Sequence, residues 1–500
     1  MGECPRHGRR TASSALHLAA TADRAGEPMN VVVDTQGVQA LFERVLPMEA
    51  GSGREPFEGF ATLCEGLQRL GVKPGRAVLV ALPNGTHFVA LLFALLLLGA
   101  VPTPLPYAAP PGRIRRIAKL LGADLLILPC SAAIKALDAR EAGRLSSELQ
   151  WARLKDIVTL PYEPGEVVLL TSGTSGIFSG CVFDSAALLL NARRHAASIG
   201  QSAADRLLIN LPLFYSFAFV AQLLSSYVLG NEVVLATPPF TPIHYHRTLL
   251  DLGITLSSLT PVMVTALCAA ELDGLPPSLR RLTIGGDALA ANLVPRLLAR
   301  NPDLELYLTY GLTQAGPRVA TLAAHLEPAE RHASVGRPLP EVEVELGGAP
   351  GASEGELLVV TDTAMQRRIR AGETDRLPPL RGQKRLVATG DHFHIDADGY
   401  LFFRQRNPTF VMRRGEKLCP RSICEIVESL PGIVSAEAWV RPNAGPNDEV
   451  ALILDVQSQD PDLNEQALRQ QLAGILLRAE QPDRLDVTFA QHAIWQKGRR

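Results

Sequence analysis

The sequence lacks three features that would narrow its function at once: paired cysteines, an excess of charge of one sign, and a long apolar run. Its seven cysteines are scattered and form no CxxC pair, which argues against a zinc site or disulfide framework and favours a reducing, cytoplasmic setting. The 49 basic and 51 acidic residues give a net charge of -2, so no nucleic-acid partner is indicated. The longest apolar run, residues 88–101, has 14 residues, fewer than the roughly 20 of a membrane helix. No membrane role is therefore expected.

The length and the patterning predict two domains of unequal size. A chain of 500 residues is too long for one simple hydrophobic core. Residues 1–28 are basic and rich in Ala and Ser, and we interpret them as a disordered leader ahead of Met29. We expect a large domain over residues 29–407 and a small one over residues 408–500.

Alternating strand-like and helix-like segments predict an α/β fold, with parallel and mixed sheets flanked by helices. Alternating apolar residues at 342–346 and 355–360 predict a small, barrel-like antiparallel part. The basic, proline-containing segment 367–385 is interpreted as a loop. Beyond residue 408 the pattern predicts a small α+β domain in which residues 463–479 form a helix.

A glycine-rich stretch over residues 169–181, LLTSGTSGIFSGC, is the strongest local signal. An apolar strand-like run leads into it, and its glycines allow backbone amides to converge on an anion. Its hydroxyl groups add hydrogen-bond donors for phosphate oxygens. The alternative is a flexible Ser/Gly surface loop, and the loop alone does not decide between the two.

Four further motifs follow strand-like segments downstream: LPLFYSF at 211–217, IGGDAL at 284–289, LTYGLTQAGPR at 308–318 and TGD at 389–391. Ligands of parallel sheets collect beyond the carboxyl ends of the strands, so these motifs are expected to meet in one crevice. Each motif is weak alone, and the ordered set is specific.

This ordered set resembles the adenylate-forming superfamily, which includes acyl-CoA synthetases, peptide-synthetase adenylation domains and luciferases. The resemblance covers nearly the whole chain. It implies ATP as the nucleotide with Mg²⁺, and a mobile C-terminal lid that follows a hinge at Pro408.

The resemblance also implies a role for each motif residue. The residues that it implies for binding the β- and γ-phosphates of ATP are Thr171, Ser172, Gly173, Thr174, Ser175 and Gly176. The residues that it implies for binding the adenosine part of ATP are Gly285, Gly286, Asp287, Tyr310, Gly311, Asp391 and Arg406. Within that second set Tyr310 stacks on adenine and Asp391 binds both ribose hydroxyls. Thr313 matches the threonine on the α-phosphate, and Arg406 matches an arginine near the ribose and phosphate.

Three departures from the family pattern stand out. Phe178 and Ser179 occupy the positions of a Pro-Lys pair, which removes a cation near the triphosphate. Gln314 replaces a glutamate that helps to hold Mg²⁺, and a neutral amide is a poorer ligand for a hard cation. Pro408 stands at a hinge that is usually Asp or Lys, and its fixed φ is expected to restrict lid rotation.

Lys497, in the terminal WQKGRR, is the candidate for the catalytic lysine of the lid. A lysine there would stabilise charge that develops on carboxylate and phosphate oxygens. The alternative is a solvated basic tail.

The acid pocket is expected to be aromatic. In the resemblance, domains that activate α-amino acids place an aspartate where this chain has Tyr215, so an amino acid is disfavoured. An aryl or unsaturated acyl group suits the predicted lining, which comprises Phe214, Tyr215, Phe217, Ala315 and Gly316. Arg318 is left open between a surface ion pair and contact with an acidic substrate.

The main hypothesis is therefore an enzyme that converts a small carboxylic acid and ATP to acyl-AMP and pyrophosphate. The acceptor, CoA or an acyl carrier protein, stays open. One alternative is a diazotase-like enzyme that adenylates nitrite for attack by an aryl amine. A second, from another class, is a non-catalytic nucleotide-binding relative.

Overall fold

An eight-stranded sheet forms the centre of the molecule. The computed structural model describes residues 32–47, 57, 59–171, 179–236, 240–270, 272, 274–348, 351–370, 373–406, 411–414, 416–442 and 450–489. The first six strands of this sheet run parallel and the last two are antiparallel. In spatial order the strands are Val45–Pro47, Glu232–Leu235, Arg206–Ile209, Leu256–Leu259, Arg281–Ile284, Glu305–Gly311, Arg318–Ala323 and Arg337–Pro338.

A second sheet with a parallel core lies on the N-terminal side of the chain. Its three parallel strands, which come first in the order below, are buried without alternation, as expected where both faces are covered. In order they are Val101–Pro104, Ala77–Val80, Leu125–Pro129, Leu149–Leu154 and Ala139–Arg144. The predicted buried helix between two of them is Thr86–Leu97, and Gly99 follows it with φ 66°.

Helices cover the faces of these two sheets, which confirms the predicted α/β class. They include a π-helical segment, Phe217–Leu224, that continues directly into an α-helix. The α-helices are Thr35–Phe42, Phe60–Arg69, Thr86–Leu97, Pro111–Leu121, Ser185–Ser198, Ser225–Leu229, Pro242–Asp251, Pro261–Ala269, Leu293–Arg300, Pro420–Glu428 and Glu465–Ala473. Short 3-10 turns lie at Lys135–Leu137, Thr313–Ala315, Ala324–Leu326, Ala329–Arg331 and Arg478–Glu480.

Two antiparallel sheets complete the large part of the molecule. A four-stranded sheet carries both flanks of the glycine loop; its strands in order are Glu373–Arg376, Arg367–Arg370, Ser179–Asp184 and Glu166–Thr171. The other contains the two predicted antiparallel strands, here Glu343–Gly347 and Glu354–Thr361, together with Lys384–Ile395, Leu380–Arg381 and Leu401–Arg406.

The C-terminal residues pack around a hydrophobic cluster of their own. That cluster contains Leu418, Ile423, Leu452 and Leu468, all fully buried. Its strands are Val411–Arg413, Glu416–Leu418, Ile433–Pro442, Val450–Ser458 and Arg484–Phe489. Among the described residues no helix is both long and apolar enough to cross a membrane.

The interpretation of residues 367–385 as a loop is wrong. Strand Arg367–Arg370 pairs antiparallel with Ser179–Asp184, and Glu373–Arg376 pairs with it in turn. The segment is a strand because a partner almost 190 residues earlier supplies its ladder, whereas its basic composition carries no local strand signal.

Two smaller expectations also change. The helix predicted over 463–479 ends at Ala473, because Gly474 follows and its carbonyl accepts a hydrogen bond from Gly112 N at 3.0 Å. The TGD motif does not follow a short strand. It lies inside the long strand Lys384–Ile395, where antiparallel pairing on both sides continues the ladder.

A buried ion pair joins the C-terminal residues to the large part. Arg113, on helix Pro111–Leu121, donates to both carboxylate oxygens of Glu480, and the two side chains are 3% and 8% exposed. Both charges are satisfied by each other in a bidentate geometry, which is the arrangement in which a buried pair is tolerated.

Replacing Arg113 with Ala should therefore loosen the C-terminal part. The change leaves the Glu480 carboxylate buried without its partner, and breaking a buried pair costs about 3–5 kcal/mol. We expect faster limited proteolysis of the C-terminal region and a lower melting temperature. Arg115→Ala is the control, since Arg115 on the same helix pairs with the half-exposed Asp138. Equal effects of the two variants would contradict the expectation.

Candidate active site

The glycine loop connects two paired antiparallel strands. Residues 172–178, which include Ser172, Gly173, Thr174, Ser175 and Gly176, lie outside the described residues. Its flanks are fixed: Thr171 pairs with Ser179 across the ladder, and their hydroxyl oxygens are 2.8 Å apart. The loop therefore connects two strands whose facing ends are held by ladder pairing and a hydroxyl contact.

Two arginines lie beside that base and were missed in the sequence. The Arg368 Nε donates to Ser179 Oγ at 2.9 Å, and Arg370 is the cross-strand partner of Ser179. Both guanidinium groups lower the pKa of the Cys181 thiol, although burial outweighs them and raises it to about 12. Positive charge therefore stands beside the loop, although the Lys of the family's Pro-Lys pair is absent. In the sequence, the local signal for these two arginines is the run RRIR at residues 367–370.

Replacing Arg368 with Ala should weaken ATP binding. The change removes a donor at the base of the loop, and we expect the KM for ATP in pyrophosphate release to rise about 10-fold, the size of one charge-assisted hydrogen bond. Arg367→Ala is the matched control, because Arg367 on the same strand binds Glu166 instead. If both variants raise the KM equally, the strand has only a structural role.

Tyr310 and Asp391 meet across two sheets. The Tyr310 Oη donates to Asp391 Oδ2 at 2.7 Å, and the residues are 8% and 0% exposed. The Tyr310 ring also packs edge-on against Phe393, with 4.7 Å between ring centroids. Asp391 N is in turn held by Thr389 Oγ1 at 3.0 Å. The two residues that the sequence assigns to adenine and ribose are therefore one rigid unit.

Arg406 joins this unit through the backbone, since it is the cross-strand partner of Asp391. Gly285, Gly286 and Asp287 follow strand Arg281–Ile284 as predicted. The Asp287 carboxylate is exposed and accepts from Ala288 N at 2.8 Å. No helix starts at Asp287; the next helix is Leu293–Arg300.

Thr313 lies in the turn that follows strand Glu305–Gly311. Its Oγ1 is 2.9 Å from Ser216 Oγ, which joins the candidate phosphate residue to the aromatic segment. The turn, Thr313–Ala315, ends at Gly316, whose φ is 109° and where a Cβ would lie 2.4 Å from Thr363 O. Only glycine fits that position. Close packing therefore fixes where Thr313 points.

The predicted lining of the acid pocket falls into two groups. Phe214 and Tyr215 contact each other at 4.3 Å between centroids, and Tyr215 is 42% exposed. Phe217 begins the π-helical segment directly after Ser216. By contrast Ala315 is fully buried in the cluster around Tyr310, which leaves it no exposed surface.

The C-terminal part contributes charge near Tyr215. Desolvation by the surrounding atoms raises the pKa of the Tyr215 phenol although 42% of the residue is exposed; the Glu416 carboxylate adds to that rise and Arg113 opposes it. Burial likewise raises the pKa of Glu416, with Glu480 adding to it. The aromatic segment thus faces residues of both parts of the chain.

Arg318 is buried, which excludes the surface ion pair that the sequence left open. It is 3% exposed, and its guanidinium carbon lies 4.6 Å from the Phe217 ring centroid. A cation–π contact gives about 2 kcal/mol at best, whereas burying an ion takes several kcal/mol. Burial accordingly lowers the pKa of Arg318 to about 9. Phe217 alone does not compensate for this charge.

A magnesium site built from protein side chains is not apparent. Within the ranges the structure describes, no group of three or more His, Cys, Asp or Glu residues could hold a metal ion. Gln314 offers only a neutral amide, and Mg²⁺ prefers carboxylates and phosphate oxygens.

A parallel-sheet crevice with a hairpin that carries a glycine-rich loop, a Tyr–Asp unit and a half-buried threonine is typical of enzymes that adenylate carboxylic acids. Residues 54–367 match the family described as AMP-binding enzyme, and the chain belongs to that family. It is an AMP-forming ligase of the acyl-CoA synthetase type.

Named relatives and solved structures agree with this assignment. The 2-succinylbenzoate–CoA ligase of Bacillus cereus (strain ATCC 10987 / NRS 248) is 25% identical over 394 residues, 76% of this chain and 78% of that protein. The o-succinylbenzoate CoA synthetase of Bacillus subtilis, bound to a product analogue, has a TM-score of 0.76 at 20% identity, covering 91% and 94% of the two chains. An amide bond synthetase of Marinactinospora thermotolerans has a TM-score of 0.72 at 22% identity, covering 90% and 95%.

Changing Tyr310 to Phe tests the Tyr–Asp unit. The ring stays for stacking, but Asp391 loses a charge-assisted hydrogen bond, and we expect the KM for ATP to rise about 10-fold. Tyr307→Phe is the control: its hydroxyl donates at 3.0 Å to the Glu305 carboxylate on the same strand, away from the crevice. An unchanged KM in Tyr310→Phe would contradict a nucleotide role for the pair.

Proposed function

We propose that this ligase activates a non-amino-acid carboxylate, an aryl or unsaturated acyl acid, as acyl-AMP with release of pyrophosphate. The acceptor that we propose for the acyl group is the thiol of CoA, in line with the CoA ligases among the named relatives. A carrier-protein thiol and, by analogy with the amide bond synthetase, an amine are the competing acceptors.

The observation that carries the proposal is the hydroxyl contact between Ser216 and Thr313, at 2.9 Å. It joins the aromatic segment to the residue expected at the α-phosphate, so an acid packed on Phe217 would present its carboxylate close to Thr313. The position that would bear an aspartate for an amino acid is Tyr215, and its phenol carries no negative charge at neutral pH. A flat acid without an ammonium group therefore suits the pocket better than an amino acid.

The proposed chemistry uses the site in a fixed order. A carboxylate oxygen of the acid attacks the α-phosphorus of ATP, the bond to the β-phosphate oxygen breaks, and pyrophosphate leaves. Thr313 would donate to an α-phosphate oxygen, while Tyr310 and Asp391 would hold adenine and ribose. Mg²⁺ would offset the negative charge of the phosphates when it is bound. In the second step the acceptor thiol attacks the acyl carbon and AMP leaves.

We further propose that residues 408–500 act as the lid of this reaction. The separate hydrophobic cluster of residues 418–485 supports a unit that folds by itself, and the buried pair Arg113–Glu480 and the Gly112–Gly474 hydrogen bond are contacts through which it docks. Lys497 and Pro408, the proposed catalytic lysine and hinge, lie outside the described residues, and their roles stay predictions.

Pyrophosphate release over a panel of acids tests the proposal. Aryl and α,β-unsaturated acids should release pyrophosphate with ATP, and the twenty amino acids should not. Lys497→Ala should lower that release about 100-fold or more, since a lysine that stabilises developing charge contributes several kcal/mol. Arg499→Ala is the control in the same tail. Activity with amino acids alone would refute the proposal, and equal activity of the two variants would assign Lys497 to a solvated tail.

A further inference from the structure

Arg318 is a buried cation for which the described residues provide no counter-ion, and it lies beside the proposed acid pocket. Its Nε and Nη2 atoms are inaccessible to solvent and have no hydrogen-bond partner in the described ranges. Its backbone is well bound, because Arg318 N donates to Asn191 Oδ1 and Asn191 Nδ2 donates to Arg318 O, both at 2.9 Å. The backbone of Arg318 is therefore fixed, whereas its guanidinium has no counter-ion among the described residues.

The surrounding residues do not supply an anion. Asp362 is already in a bidentate pair with Arg194, at 2.5 and 2.9 Å. His195 is fully buried, and burial and the charge of Arg318 hold its pKa well below the usual value, so it is neutral. Its Nδ1 has no hydrogen-bond partner in the described ranges either. The guanidinium and the imidazole thus form a buried polar pair, and none of the described residues around them supplies an anion.

The buried pair of Arg318 and His195 adjoins the expected position of the substrate. Phe217, over which the guanidinium lies, follows Ser216, and Ser216 contacts Thr313. An edge atom of the Phe217 ring also lies near the nucleotide segment, since a Cβ on Gly285 would lie 3.3 Å from Phe217 Cε1. An acid whose first carboxylate reached Thr313 would extend along Phe217 towards Arg318.

We propose that Arg318 is the counter-ion for a second carboxylate on the acid, so that the substrate class is an aromatic or unsaturated dicarboxylic acid. The inference rests on the proposed activation of carboxylates. One carboxylate is adenylated near Thr313 and the other forms charge-assisted hydrogen bonds with the guanidinium. Arginine suits this task because its planar fork matches a carboxylate.

The test compares benzene- and cinnamate-type dicarboxylic acids with their monomethyl esters, which keep the shape and one free carboxylate. The full chain with ATP should show a kcat/KM for AMP formation at least about 10-fold higher with a diacid than with its ester. In Arg318→Met that preference should fall to within about 2-fold, chiefly through loss of activity with the diacid, while Arg318→Lys keeps part of it. Arg194→Met, which removes a partnered arginine from the adjacent helix, should keep the preference.

Binding and stability measurements separate a recognition role from a structural one. Without ATP, a diacid should raise the melting temperature of the unmodified protein and leave that of Arg318→Met unchanged. Arg318→Met itself should melt no lower than the unmodified protein, because it removes an unpaired buried charge. A lower melting temperature with equal loss of diacid and ester activity would overturn the proposal in favour of a structural arginine.

The unmodified protein alone also decides the matter if the variant does not fold. Equal kcat/KM for diacids and esters would overturn the second-carboxylate site while leaving the adenylation of acids intact. Absence of AMP formation with every acid would refute the proposed function itself. The two failures are therefore distinguishable.

Discussion

The hydrogen bond from Tyr310 to Asp391 is the contact on which the candidate site depends. It joins the eight-stranded sheet to the antiparallel sheet, and both residues are buried, so neither side chain can move without disturbing the other. A hydrogen bond that involves a carboxylate is worth about 1.5–3 kcal/mol, and the cost of leaving Asp391 unsatisfied is of similar size. The geometry of the nucleotide end is thus fixed before any ligand binds.

Around this unit the chain combines rigid and adjustable parts. The hairpin base at Thr171 and Ser179 and the tight turn at Gly316 are held by ladder pairing and close packing. The C-terminal part has its own hydrophobic cluster and meets the large part through the Arg113–Glu480 pair. In a ligase this division would keep the nucleotide residues fixed while the lid moves.

Much of the fold could be predicted from the sequence because its signals are local. The apolar runs that became Ala77–Val80 and Leu125–Pro129, and the helix closed by Gly99, are specified by neighbouring residues. Strand Arg367–Arg370 could not be predicted, since its ladder partner is distant in sequence and its side chains are basic. The position of the TGD motif inside a strand could not be predicted for the same reason, because that strand is also specified by partners that are distant in sequence.

The candidate site shows the same division. Tyr310, Asp391 and Thr313 were found from short motifs, and the structure joins the first two directly and links Thr313 to the aromatic segment. Arg368 and the burial of Arg318 could not be found, because both depend on which side of a strand faces the interior. The sequence therefore predicts site residues that belong to short motifs. It does not predict the position of a charged side chain that depends on tertiary packing.

Isotope transfer tests the central claim most directly. An aryl acid with ¹⁸O in its carboxylate is incubated with the protein, ATP and CoA, and the AMP and inorganic products are analysed by mass spectrometry. Attack of the carboxylate on the α-phosphorus places one labelled oxygen in AMP once the acyl group has been transferred. Label in AMP is the predicted result, and label in inorganic phosphate, or unlabelled AMP with consumption of the acid, would contradict activation through an acyl adenylate.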